Sequence, residues 1–446
     1  MTDQPTGPWL PPGRLVGPRG RPGGSGAPGG SGAPGSSGAS GARGVAGGPE
    51  PDAGDNLPLW SALAALTLVG VMTLALLVRG LRPADQTPHF GLLAQAFLHG
   101  RLSLRAPVYD DVVYHGHVYL PFGPFPAILL MPAVALFGVG IRLNVVNALV
   151  AGVTIPALWG VWKELGVDSP AARIWLTLLS MAGTCYLSAL VINSSYFTAH
   201  IVVFACLSWA LLLALRSRWP ALAGCLVGLA ALTRAQDGLA LIPIMWVYLQ
   251  SGTERSWRAA GELLLGAAPG LLAVALYDLA RFGSPFRTGY DIQALSFAPL
   301  AKARAVGLFS LAHLPKNLYY FLVAGPVPTR GENAPTFGVP GVSPSSWGMG
   351  LIWISPWMFA ALFARGPRAA AIGVGAVILL VPSLLYYGIG WIQFGYRYAI
   401  DAYPFLIAAA AMGLVQRRRL RWMPWLTAYS VIVNVWGARW LLRLLS

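Results

Sequence analysis

Residues 119–138 read YLPFGPFPAILLMPAVALFG. The run is apolar enough to cross a bilayer, yet Pro121, Pro124 and Pro126 fall at its start. Proline lacks an amide donor and breaks helices, so the run reads as a short surface or re-entrant helix and not as a crossing. Whether it crosses decides on which side of a membrane every later loop lies.

The membrane itself follows from composition. Of 446 residues, 56% are hydrophobic and 11% charged, where a soluble domain carries about 25% charged residues. Apolar runs of roughly 20 residues recur along the chain, matched to a hydrocarbon core of about 30 Å. They lie near 58–78, 119–138, 141–162, 172–192, 196–215, 220–233, 238–250, 260–281, 350–364, 369–390, 402–416 and 422–443. The fold class is therefore an all-α polytopic membrane protein. The net charge of +15 is nearly all arginine, with lysine only at 163, 302 and 316. Arginines flanking helices on the cytoplasmic side account for it, and nucleic acid is not an expected partner. Cys185, Cys206 and Cys225 all sit in apolar runs and read as small core residues, not as a disulfide or metal set.

Residues 1–57 stand apart. Glycine recurs at every third position from Gly17 to Gly47, the period of a collagen triple helix. Proline is sparse in these triplets, and the alternative reading is a flexible, disordered cytoplasmic tail. No short apolar stretch with a small-residue cleavage site opens the chain, so a signal peptide is not expected.

Positive clusters set the sidedness. They are Lys163 with Arg173, Arg216 with Arg218, Arg255 with Arg258, Arg365 with Arg368, and Arg417–Arg419 with Arg421. Two apolar runs separate each from the next, so all five can be cytoplasmic together. With the tail inside, 58–78 exits, 79–118 forms a first external loop, and 141–162 must return. Run 119–138 then does not cross. The count is about 11 crossings, with 282–349 as a long second external loop and the C-terminus outside.

Asp85, Asp110, Asp111, Arg234, Asp237, Arg281, Asp291, Arg397 and Asp401 then fall at the outer face. Charge at membrane depth costs about 2.5–3.5 kcal/mol per residue on insertion scales, so such residues pair or line a polar cavity. Asp85, in RPADQTPHFGLLAQAFLHG, is placed where a membrane-bound substrate meets water and suits a general base; it also suits a helix cap. Residues 90–98 are amphipathic enough for a surface helix. Asp110 and Asp111 are the alternative acids, able to hold a divalent cation or to sit in a solvated loop. Around them, VYDDVVYHGHVY alternates as a strand or hairpin, with His115 and His117 on one face. Arg234, Arg281 and Arg397 either bind a lipid phosphate through paired hydrogen bonds or bridge to Asp237, Asp278 and Asp401. His200 and His313 have no evident partner.

Four stretches together resemble a known family: DQTPHFGLLAQAFLHGRL after the first run, GLAALTRA at 228–235, RFGSPFRTGY at 281–290 and FGYRYAIDAYP at 394–404. In this order they resemble the GT-C superfamily of membrane glycosyltransferases. Within it they look like the bacterial protein-mannosyltransferase-like group described as RgtA/B/C/D-like. The resemblance covers about 58–416. It implies a GT-C-like bundle with external surface helices and an outward-facing active site. It also implies a polyprenyl-phosphate sugar donor and an essential acid in the first external loop, which by position is Asp85. The family often has a second acid next to it, where this chain has Gln86, and its LTRP is here LTRA with Ala235.

That chemistry assigns roles. Asp85 is the expected base, acting with inversion at the anomeric carbon. Arg234 and Arg397 are the phosphate-side cations. Asp401, four residues from Arg397, would orient it. His89, Tyr290, Tyr396 and Tyr398 are the expected substrate-lining residues, with Trp391 available for stacking. The acceptor is a lipid, glycan or protein of the cell envelope, reached from the plasma membrane. No metal ligand set is expected, although a divalent cation as cofactor is left open. The rival readings are a lipid-linked-substrate flippase, which would place interrupted helices at matching positions of two halves, and an inactive scaffold that keeps the fold.

Overall fold

The computed structural model describes residues 57–81, 88–250, 254–295, 298–328 and 341–445. The glycine-rich tail and the pair Asp85–Gln86 lie outside the described residues.

The described residues are mostly helical. Helices α1 (Leu59–Arg79), α2 (His89–Leu98) and α3 (Phe125–Phe137) come first, with a hairpin of β1 (Val112–Tyr114) and β2 (His117–Tyr119) between the last two. There follow α4 (Leu143–Glu164), α5 (Pro170–Met181), α6 (Tyr186–Val191), α7 (Ser195–Leu215), α8 (Pro220–Thr233), α9 (Leu241–Leu249) and α10 (Glu254–Phe282). The second loop carries α11 (Ala298–Ala305), α12 (Leu314–Leu322) and a short pair of strands, β3 (Val327–Pro328) and β4 (Val342–Ser343). The chain ends with α13 (Leu351–Ile354), α14 (Pro367–Leu385), α15 (Tyr403–Gln416) and α16 (Met423–Leu444).

Among the described residues six helical segments are long and apolar enough to cross a membrane: 59–79, 143–164, 195–215, 254–282, 367–385 and 397–416. Proline sets several starts, at the first or second position of α5, α8, α14, α15 and α16. A missing amide hydrogen costs nothing there, because the first turn has no acceptor for it. The run at 119–138 yields only the 13-residue α3, about 20 Å long by helical rise and short of the roughly 30 Å core. It packs on α2 through Phe90, Leu93, Leu130 and Val134.

Helix α7 is the centre of the bundle: 94% of its apolar window is buried, against 17% for α1 and for α10. The most intimate helix pair is α8 with α10. Gly228 faces Gly270, Gly266 faces Ala221, and a Cβ at Gly224 would lie 1.9 Å from the Leu263 carbonyl oxygen. Small residues let membrane helices approach closely where no hydrophobic gradient drives them together.

The loops sort to two ends. At one, Arg216 pairs with Glu164 (3.0 Å) and the Tyr248 hydroxyl donates to the Arg218 carbonyl (2.8 Å). There too, Gln250 donates to the Pro367 carbonyl and Gln416 to the Arg365 carbonyl, each at 2.9 Å. These contacts join the loops that carry most of the positive clusters, including Arg417–Arg419. The long 282–349 loop belongs to the other end and is tied to it. Ser310 N–H donates to the Leu385 carbonyl (2.9 Å), and buried Asn317 donates to the carbonyls of Leu384 and Tyr386, both at 2.8 Å.

Candidate active site

At the end opposite the arginine clusters, two helical runs break where charge enters. Helix α8 stops at Arg234, whose backbone is extended (φ −147°, ψ 108°), and a 3₁₀ helix, Ala235–Ala240, carries Asp237. Ahead of α15, a second 3₁₀ helix, Arg397–Ala402, carries Arg397 and Asp401. The stretch before it turns at Gly390 (φ 83°) and Ile392 (φ 50°). Gly395 then passes so close to α6 that a Cβ there would meet the Cys185 side chain at 2.6 Å. Opposite these breaks, Tyr196, Phe197 and His200 share one face of the first turns of α7.

Asp401 is the hub. His200 Nδ1 donates to its Oδ1 at 2.7 Å, and Arg234 Nε lies 2.8 Å from its Oδ2. Asp237 is a second, looser partner of Arg234 at 3.9 Å. Asp401, Asp237 and the His200 imidazole are fully buried.

Arg397 is different. Its Nη1 donates to the Trp391 carbonyl (3.0 Å), and its guanidinium faces the rings of Tyr196, Phe197 and Tyr398 at 5.6, 5.5 and 5.1 Å. The residue is only 9% exposed, its Nε has no hydrogen-bond partner, and it forms no ion pair among the described residues. Arg234 faces the same Tyr398 ring at 5.6 Å, so one aromatic ring serves both cations.

The first loop closes on this group. The Tyr196 hydroxyl donates to Asp110 Oδ2 at 2.5 Å, and the Asp110 carbonyl accepts from Gln293 of the second loop at 3.1 Å. Asp110 has φ +62°, a left-handed backbone that costs a non-glycine residue and persists only when its surroundings enforce it. Asp111 is buried and accepts from the Val108 amide (2.9 Å). His89 is buried, its Nε2 donates to the Tyr109 carbonyl (2.7 Å), and burial holds its imidazole below the usual value against the pull of that carbonyl, Asp110 and Asp111. Tyr290 reaches the group through Tyr386, 6.3 Å ring to ring. Burial pushes its phenol up to about 12, with Arg234 opposing.

The structure thus brings together Arg234, Arg397, Asp401, Tyr398, Tyr290, Asp110 and His89. Asp85 lies outside the described residues. Several expectations change. Asp401 does not orient Arg397: in a 3₁₀ helix residues four apart are rotated by about 120°, and Asp401 turns to Arg234 and His200 instead. Tyr396 does not line the site, being 2% exposed with its hydroxyl donating to the Ser383 carbonyl (2.7 Å). Asp110 and Asp111 are anchored and not in a solvated loop. The hairpin forms, but His115 occupies its turn (φ +49°), so alternation does not pair it with His117. Arg281 follows the bridging reading: it is buried, paired with Asp278 at 2.5 Å and bonded to the Leu120 carbonyl. Cys225 is exposed, unlike Cys185 and Cys206. Among the described residues no group of three or more His, Cys, Asp or Glu stands close enough to hold a metal ion.

His200 is the residue that sequence reasoning missed. A histidine in an apolar run needs a buried partner. The parity of the runs already put position 200 at the same end as Asp401, which was the available signal.

No protein-family model matches the chain, and no curated protein matches it in sequence. Solved structures do match. The chain is similar to ArnT from Cupriavidus metallidurans bound to undecaprenyl phosphate, with a TM-score of 0.50 and 16% identity over 80% of this chain and 61% of that one. The chain has the GT-C fold. The same ArnT in the apo state matches with a TM-score of 0.47 and 18% identity, over 80% of this chain and 60% of that one. An archaeal oligosaccharyltransferase, AglB from Archaeoglobus fulgidus in complex with an inhibitory peptide and a dolichol-phosphate, matches with a TM-score of 0.46 and 13% identity, over 84% and 55% of the two chains. The chain thus spans about three-fifths of the length of the ArnT structures. On this GT-C fold the breaks in α8 and before α15 put two guanidinium groups around one tyrosine, at the end where both long loops converge.

Proposed function

We propose that the protein is a glycosyltransferase. It moves a sugar from a polyprenyl-phosphate donor to an envelope acceptor at the outer face of the plasma membrane, with the five arginine clusters cytoplasmic and about 11 crossings. The RgtA/B/C/D-like resemblance belongs to this reading.

One observation carries it. Arg397 is a buried guanidinium without a carboxylate partner among the described residues, boxed by aromatic rings at a break in the bundle. A cation held this way awaits an anion, and at a membrane surface the fitting anion is a lipid phosphate. ArnT, whose fold the chain shares, was crystallised with undecaprenyl phosphate.

In the reaction a base takes the proton of the acceptor hydroxyl, and that oxygen attacks the anomeric carbon from the face opposite the phosphate. The bond from the anomeric carbon to the phosphate oxygen breaks, and configuration inverts. The sugar passes through an oxocarbenium-like state. Charge gathers on the departing phosphate, where Arg397 and Arg234 stabilise it without reorganising. Asp85 is the base in this scheme, four positions before His89, which Tyr109 holds against the site. Asp110, fixed by Tyr196, is the alternative acid.

A sugar-transfer assay in proteoliposomes tests the reading, with a panel of radiolabelled polyprenyl-phosphate sugars and extracted envelope acceptors. Transfer by wild type that vanishes in a folded Asp85→Asn variant is expected. Transfer that survives moves the base to Asp110. No transfer from any donor, with a control enzyme working, overturns the proposal.

A further inference from the structure

The mechanism leaves His200 unused, although it is as deeply buried as Asp401 and Asp237. Its place is specific. Tyr196, Phe197 and His200 form one face of α7, and all three touch the segment 397–401: the two rings against Arg397, the imidazole against Asp401. A carboxylate can only accept, so His200 Nδ1 carries the hydrogen. Its Nε2 is buried and has no hydrogen-bond partner among the described residues. The neutral Nδ1–H form therefore satisfies the contact with Asp401 and leaves Nε2 a bare, buried nitrogen.

We propose that His200 is a positioning residue for both site cations: by fixing the Asp401 carboxylate, it sets Arg234 against Asp401 instead of Asp237 and pins the 3₁₀ turn that bears Arg397 onto α7. Two distances carry this. Arg234 Nε has a near carboxylate at 2.8 Å and a far one at 3.9 Å, so it has an alternative seat. The Nδ1–H bond to Oδ1 holds the plane of Asp401 so that Oδ2 meets Arg234. Without that bond Asp401 rotates freely about its side chain, and Arg234 is free to swing toward Asp237. Arg397, four residues back on the same 3₁₀ helix, loses the same anchor. His200 touches neither substrate nor reacting atoms in this account. It acts through Asp401, as an outer ligand orients an inner one.

The inference rests on the glycosyltransferase reading for its catalytic consequence, but not for its geometry. The test uses the full-length protein in proteoliposomes with two variants of equal polarity. His200→Asn keeps a donor near the Nδ1 place, and His200→Gln moves it to the Nε2 place. His200→Asn is expected to keep turnover within about threefold. His200→Gln is expected to lose about 10²-fold, the scale of a misplaced catalytic group, mostly in kcat and with the protein still folded at the assay temperature. Arg234→Lys combined with His200→Gln should lose less than the product of the two single losses, because part of the His200→Gln effect runs through Arg234. Equal turnover in the two His200 variants, or fully additive losses, overturns the proposal.

A second readout needs no substrate. Nitrogen-15 spectra of the wild-type protein should show His200 as the Nδ1–H tautomer. The Nε signals of Arg234 and Arg397 should shift in His200→Gln and stay put in His200→Asn. An Nε2–H tautomer, or unmoved arginine signals in His200→Gln, overturns the positioning role even if wild type transfers no sugar. Absent transfer with shifted arginine signals overturns the glycosyltransferase reading and leaves the positioning role supported.

Discussion

The two ends of the bundle use arginine in opposite ways. At the arginine-rich end the cations are many and open to solvent, and their partners are carbonyls and surface acids: the Arg216 side chain is 40% exposed against Glu164, and Arg258 is 81% exposed against Glu262. At the site end, Arg234 sits between two fully buried carboxylates, and Arg397 sits among three rings with no acid partner among the described residues. Exposed pairs contribute about 0–1 kcal/mol, whereas a buried charge stripped of its partner costs several. In the proposed reading, the number of charges sets the chain's orientation in the membrane, and the burial of charges marks the site.

Substitutions at the two ends should separate accordingly. The largest effect is expected at the hub. Asp401→Ala leaves Arg234 and His200 without their shared carboxylate and should cost about 3–5 kcal/mol, as breaking a buried ion pair does. Thermal unfolding in detergent and the yield of monodisperse protein measure it. Stability equal to wild type would mean that Asp237 takes over fully. Next, Tyr196→Phe removes the 2.5 Å hydrogen bond to the Asp110 carboxylate, an interaction with a charged group worth about 1.5–3 kcal/mol. Transfer activity should fall tenfold or more while the fold stays intact; an unchanged rate would detach Asp110 from the site.

His89 gives a smaller, pH-dependent signal. Its folded-state pKa is depressed below the ordinary 6.5, first by burial. The unfolded chain therefore binds the proton more tightly. The stability from neutral His89 is complete above pH 6.5 and is lost as pH falls through the depressed value. Unfolding followed from pH 8 down to 5 should show this decline in wild type and a flatter profile in His89→Gln, whose amide can still donate to the Tyr109 carbonyl. Identical profiles would show that His89 is not the titrating group. At the other end, Arg216→Ala should change stability by less than about 1 kcal/mol and leave transfer unaffected. A large loss there would erase the contrast between the ends.

Much of this contrast was legible in the sequence. Hydropathy marked the membrane segments, because apolar length is a direct response to bilayer thickness. Three prolines flagged 119–138, and the run makes only a 13-residue helix. The order of arginine clusters predicted that Arg234, Arg397 and Asp401 share an end, and they do. Pairing was not legible. Spacing of four suggested that Asp401 orients Arg397, but spacing has this meaning only in an α-helix, and the segment is 3₁₀. Tyr396 and Tyr398 look alike in FGYRYAID, yet one is buried against Ser383 and the other lies between two arginines. The partnership of His200 with Asp401 spans 201 positions, and no local pattern encodes so distant a contact.

The central claim is that the site end holds a lipid phosphate for sugar transfer, and its most direct test sets one arginine from each end against the other. Arg397→Gln and Arg216→Gln would be reconstituted in parallel with wild type and offered polyprenyl-phosphate sugars with envelope acceptors. Wild type and Arg216→Gln should transfer sugar equally, and Arg397→Gln should fall by about 10²–10³-fold, the cost of losing one preorganised donor to a developing oxyanion. Undiminished transfer by Arg397→Gln would contradict the account.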